Sequence, residues 1–137
     1  MSAFCGKWKR ISATNVDEFI KATDLADEKA AKVRSFLKEA NIVEEFVVTE
    51  KGTRRKIYVD GILHQDVTSN FNEPQEAMTA LGKSTLVAKK VSNNKIEYME
   101  TAPGRADAFS VLMVEGNKLL LDYTLNGVTC RRTYERQ

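Results

Sequence analysis

From Asn41 onward, turn signals recur with a period near ten residues: Lys51-Gly52, Asp60-Gly61, Asn93-Asn94, Pro103-Gly104, Glu115-Gly116 and Asn126-Gly127. Between them lie IVEEFVVT, RRKIYV, TLVAKKV, KIEYME, AFSVLMV, KLLLDYTL and VTCRRTY, which read as strands. Strands this short, punctuated this often, pair with their sequence neighbours. The outcome is an antiparallel meander that closes as a barrel or folds as a sandwich. Asn126-Gly127 is the strongest hairpin signal, because a type I′ turn wants positive φ at both central residues. Residues 62–82 are the least regular, and the pattern does not fix strand boundaries there.

The stretch before Asn41 follows a different period. Residues 15–40 read as helical, with Asn15 followed by Glu18 three positions on as a capping signal and Phe19 and Ile20 on the apolar side. A second start falls between Asp24 and Asp27. Ala26, Ala30, Val33 and Leu37, with Phe36 beside them, then form an apolar stripe at helical spacing. Glu28, Lys29, Lys32, Arg34 and Lys38 occupy the opposite face. This helix-turn-helix is not expected to read DNA, since so much strand follows it.

Composition narrows the classes further. The 137 residues suit one domain, 1–137, with a single sizeable core. Lys and Arg number 21 against 19 Asp and Glu, a small and dispersed excess that argues against a nucleic-acid partner. No apolar run approaches the roughly 20 residues of a membrane-spanning helix. The opening MSAFCGKWKR carries charge where a signal peptide would be apolar, so a cytoplasmic protein is expected. Cys5 and Cys130 are too few for a disulfide framework or a zinc site, and both are expected to be reduced thiols. They could approach each other if the first and last strands pair.

Catalytic chemistry finds little support. Residues 82–85, GKST, match the tail of a phosphate-binding loop, but Ala77 stands where that motif needs glycine, and a strand follows instead of a helix. His64 is the only histidine, and no glycine-flanked serine elbow accompanies it. Glu44 and Glu45 point to opposite faces if they lie in a strand, so they are not acid–base partners. No enzyme, metal or cofactor is expected.

The segment VTCRRTYERQ raises a sharper question. Alternation puts Val128, Cys130, Arg132 and Tyr134 on one face, and Thr129, Arg131, Thr133 and Glu135 on the other. The preceding strand gathers Leu119, Leu121, Tyr123 and Leu125 on its apolar face. Arg132 therefore points inward with Tyr134, while Arg131 faces solvent. An unpaired interior charge costs several kcal/mol, so Arg132 must be solvated or matched. Guanidinium and phenol together offer converging donors for a carboxylate. The alternative is a rim position, where Arg132 bonds water or an internal acid.

These residues carry a resemblance. Gly6-Lys7-Trp8-Lys9 followed by Asn15-Val16-Asp17-Glu18-Phe19, and Asn126-Gly127-Val128-Thr129-Cys130-x-Arg132-x-Tyr134-Glu135, are similar to the two end signatures of the intracellular lipid-binding proteins. That family comprises the cellular fatty-acid-binding and retinoid-binding proteins. The resemblance implies a mainly β fold, a ten-stranded antiparallel up-and-down barrel of two near-orthogonal sheets, capped by a helix-turn-helix lid over about residues 15–39. It also implies non-covalent carriage of a long-chain fatty acid or similar carboxylate in the barrel cavity. The ligand-facing set it implies is Arg132, Tyr134, Tyr123 and Val111 from the barrel, with Phe19 and Val33 from the lid. Two departures stand out. Val16 replaces a usual aromatic, and Val111 falls where many carboxylate-binding members carry a second interior arginine.

The leading expectation is thus a monomeric lipid carrier. Lys29, Lys32 and Lys38 form a solvated helix face on the plainer reading, and a transient contact with anionic membranes on the other. A functional alternative from another class is an interaction or regulatory barrel that takes a different lipid, or none.

Overall fold

The computed structural model of the chain describes residues 2–79 and 81–137. Strand β1 (Gly6–Thr14) leads into helices α1 (Val16–Thr23) and α2 (Asp27–Lys38). Nine strands follow: β2 (Ile42–Val48), β3 (Gly52–Val59), β4 (Ile62–Asn70), β5 (Gln75–Thr79), β6 (Gly82–Ser92), β7 (Lys95–Thr101), β8 (Ala108–Glu115), β9 (Lys118–Leu125) and β10 (Val128–Arg136). They form one sheet in the order β4-β3-β2-β1-β10-β9-β8-β7-β6-β5, every hydrogen-bonded pair antiparallel. The meander thus closes as a nearly complete barrel rather than a sandwich. Among the described residues, β4 and β5 face each other without a ladder, and Gln65 Nε2 donates to Met78 O at 2.5 Å across that seam.

Turn chemistry sets the hairpins. Asn126 and Gly127 both take positive φ, 51° and 77°, as the β9–β10 turn requires. Gly52 meets a different demand: a Cβ there would lie 2.0 Å from Ser69 O, so only glycine lets β3 approach β4 this closely. The GKST segment opens β6 as an ordinary strand.

One end of the barrel is filled. Phe4, Trp8, Phe46, Ile96, Leu112 and Leu119 are fully buried there, and Trp8 Nε1 donates to Phe4 O at 2.9 Å. The other end carries the helices. Their lid is fastened by Asp17 of α1, which accepts from Arg34 at 3.1 Å and Lys38 at 2.9 Å in α2. Asn126 Nδ2 ties the β9–β10 turn to Ala22 O at 3.1 Å. No helix among the described residues is long and apolar enough to cross a membrane.

Two helix details differ from expectation. Asn15 does not cap α1 with its side chain. It adopts a left-handed φ of 61° at the strand-to-helix bend, which asparagine tolerates, and its amide donates to Thr129 O instead. Ala26 marks the exposed entry to α2 and does not join the buried stripe, which consists of Val33 and Leu37 with Ala30 and Phe36 half-buried. The cysteines also stay apart. Strands β1 and β10 do pair, but their antiparallel register sends Cys5 to the Arg136 end and leaves Cys130 at the opposite end of β10.

Candidate functional site

Strand β10 separates its two arginines as alternation requires. Arg131 lies on the outer face and makes a bidentate pair with Asp122 of β9, at 2.7 and 2.8 Å. Arg132 is 7% exposed and turns inward between Cys130 and Tyr134, both buried. It lines a cavity of about 410 Å³ that extends toward the helices. That volume falls within the usual range for small-ligand sites, roughly 300–1,000 Å³.

The middle of this cavity holds a cluster of charged and phenolic groups. Arg55 of β3 joins Arg132 in the wall, and its Nε donates to Glu44 Oε1 of β2 in a buried ion pair. Glu44 is 1% exposed, because alternation in β2 places it with Ile42, Phe46 and Val48 on the inner face. Burial alone would push its carboxyl up, but the guanidinium of Arg55, with Arg132 adding to it, holds Glu44 below the ordinary carboxylate range. Burial pushes the Tyr134 phenol up, so it stays protonated and able to donate. Three buried atoms of this cluster have no hydrogen-bond partner: Glu44 Oε2, Arg132 Nε and Tyr134 OH. Native interiors leave few such groups unmatched, and here they occur together beside an open cavity.

A second polar cluster sits nearer the helical end. Glu100 of β7, 2% exposed, accepts from Tyr123 OH at 2.7 Å, Thr79 Oγ1 at 2.8 Å, Ser84 Oγ at 3.0 Å and Arg105 Nη2 at 2.6 Å. Both carboxylate oxygens are occupied, so this glutamate is matched throughout. Burial first, and the neighbouring Glu100 charge second, push the Tyr123 phenol up. The Tyr123 ring also packs on Phe19 of α1, with centroids 5.0 Å apart, and so joins the barrel to the lid.

The residues expected from sequence divide three ways. Arg132, Tyr123 and Val33 all line the cavity, Val33 at the mouth with Phe36 and Lys32 of α2. Tyr134 and Phe19 are wholly buried in the layer behind it, Tyr134 near the charged cluster and Phe19 beneath Tyr123. Val111 requires correction. It pairs with Asp122 of β9 and Glu97 of β7 on the outer face, while Ser110 and Leu112 hold the neighbouring inward positions of β8. Val111 therefore has no view of the cavity. A second interior arginine does exist, but it comes from β3 as Arg55, and sequence reasoning missed both it and its partner Glu44. The available signal was alternation: Arg55 lies between Thr53 and Ile57, and Glu44 between Ile42 and Phe46, on apolar inward faces.

Comparison with known proteins bears on the whole chain. No family model matches it. Rat fatty acid-binding protein 12 is 23% identical over 132 residues, which cover 96% of this chain and 95% of that protein. Among solved structures, the Schistosoma mansoni fatty acid binding protein in complex with arachidonic acid superposes with a TM-score of 0.85 at 21% identity, covering 100% of this chain and 98% of that one. The fold is that of the fatty-acid-binding proteins. Echinococcus granulosus fatty-acid-binding protein 1 superposes on it as well, with a TM-score of 0.82 at 15% identity and covering 99% of this chain and 98% of that one. The likeness of fold thus covers the whole length of the chain, beyond the two ends marked by the sequence signatures.

Proposed function

We propose that this chain is a member of the intracellular lipid-binding family and a non-covalent carrier of a long-chain fatty acid or similar hydrophobic carboxylate. The observation that carries this reading is Arg132, which lines the cavity while its buried Nε has no partner and the buried Tyr134 hydroxyl stands two residues along the same face. A carboxylate entering head first supplies Arg132 with its counter-charge. The chain then lies along Leu121, Ile57 and Val33 toward the lid, gaining about 0.8 kcal/mol per buried CH₂. The head group fixes orientation and the tail provides most of the affinity. Arg132 and Arg55 are the charged contacts in this proposal, Tyr134 supports them, and Tyr123 and Val33 line the path of the tail. The same reading places the carrier in the cytoplasm as a monomer that acts without catalysis. Contact of its Lys29, Lys32 and Lys38 face with anionic membranes belongs to this proposal too.

Displacement of a fluorescent fatty acid tests it. The expected result is low-micromolar or tighter binding of oleate, weakened on the order of tenfold to a hundredfold by Arg132→Ala. Absence of displaceable binding across fatty acids, retinoids and bile acids overturns it.

A further inference from the structure

The charged cluster contains two cations and one anion, and only the cations face the cavity. Arg55 and Arg132 are in the wall, whereas Glu44 is sealed behind Arg55 at 1% exposure. The other charges nearby are paired, bound to backbone carbonyls or exposed. Glu100 and Arg105 cancel each other at 2.6 Å. Arg10, which also stands near the cluster, sends its guanidinium to Phe36 O and Ala40 O at the C-terminal end of α2, both at 2.6 Å. There it meets the negative end of the helix dipole and does not line the cavity. Tyr123 and Tyr134 are uncharged. Lys32 and His64 stand at the exposed mouth, where solvent screens them.

We infer that Glu44 lowers the positive charge at the head-group end of the cavity by one and thereby favours monoanionic over dianionic lipid head groups. This assignment rests on the carrier reading and deepens it. A monoanion, such as a carboxylate, brings the cluster to neutrality. A dianion, such as a phosphate monoester, leaves one uncompensated negative charge in a site withdrawn from water, where such an excess is costly. Without Glu44 the same two guanidiniums would suit the dianion, in the bidentate manner arginine offers phosphate. Glu44 needs no contact with the ligand for this effect; it acts through charge.

The experiment compares three ligands with the same tail, dodecanoate, dodecyl phosphate and dodecanol, by calorimetry at about pH 8, where a phosphate monoester carries nearly two charges. Wild type is expected to prefer the carboxylate. Glu44→Gln should shift the affinity ratio toward the phosphate on the order of tenfold. The double variant Glu44→Gln/Arg55→Met keeps one net positive charge and should return the ratio to that of wild type. Arg132→Met leaves only the neutral pair, and dodecanol should then bind at least as well as either anion. Should Glu44→Gln fail to fold, the double variant and Arg132→Met decide the matter. A ratio that Glu44→Gln leaves unmoved, a double variant whose preference departs from wild type, or a wild type that prefers phosphate overturns the assignment alone. Failure of wild type to bind any of the three overturns the carrier reading as well.

Discussion

Glu100 and Glu44 are both buried in the barrel wall, and each faces an arginine, but their surroundings differ. Around Glu100, four donors from β5, β6, β9 and the β7–β8 loop meet both carboxylate oxygens. Around Glu44, one oxygen binds Arg55 and the other binds nothing, with Arg132 Nε and Tyr134 OH equally unmatched. A buried polar network stabilises a fold only when its members are satisfied. The Glu100 cluster therefore reads as a fastening between strands near the lid. The Glu44 cluster is incomplete, and under the proposed carrier function Arg132 is the member that a ligand's anion would match.

The contrast can be broken by substitution. The largest effect is expected from Glu44→Ala, which removes both oxygens at a site 1% exposed, leaves the largely enclosed Arg55 without a counter-ion and should cost about 3–5 kcal/mol in urea unfolding. Because the folded protein holds the Glu44 proton off more strongly than the unfolded chain does, this contribution is whole at neutral pH. It is lost as the pH falls below the usual carboxylate range, through the depressed folded value. The gap in urea midpoint between wild type and Glu44→Gln should accordingly close below about pH 4; a gap that widens on acidification contradicts the pairing.

Glu100→Gln should cost less, about 1–3 kcal/mol, since the amide oxygen that replaces the carboxylate can still accept from Ser84, Thr79 or Arg105. A loss as large as that of Glu44→Ala would mean that the two clusters are energetically alike.

The tyrosines sharpen the comparison. Tyr123→Phe removes a hydroxyl that is bonded at 2.7 Å, and a loss of about 1 kcal/mol is expected. Tyr134→Phe removes one that stands beside Glu44 without closing a full hydrogen bond, so the ligand-free protein should lose less than it does with Tyr123→Phe, while fatty-acid binding weakens. Equal destabilisation by both would remove the distinction. Smallest of all is Arg131→Ala on the outer face, no more than about 1 kcal/mol and shrinking further in high salt.

Legibility in the sequence followed how unambiguous the local period was. Strand β10 carries one polar anomaly, Arg132, in an otherwise apolar inward row beside an Asn-Gly turn, so its facing was readable. Strand β8, AFSVLMV, is apolar on both faces; a period of two cannot then tell Val111 from Leu112, and the position that the family resemblance marks is the outward one. In RRKIYV three consecutive cations hide which one enters the barrel, until Ile57 and Thr53 are taken as the inward register. Glu44 could have been noticed as the acid within an apolar row. Its pairing with Arg55 could not, since the two are not directly opposite: Glu44 is opposite Ile57 and Arg55 opposite Phe46. The Glu100 cluster draws its donors from four elements besides β7, and no local pattern brings those together.

Closure of the wall through β1 and β10 also has a consequence for how the molecule is made. Strand β1 has β2 on one side and β10 on the other, and β10 follows every other strand in the chain. During synthesis one edge of β1 must wait, unladdered, until more than a hundred residues have followed it. Pairings this distant in sequence are slow to form, and they leave apolar strand edges exposed meanwhile. The guanidinium that completes the charge of the cavity arrives on the same final strand. A nascent barrel can therefore offer a greasy groove early, but it can hold an anion only once its wall is shut.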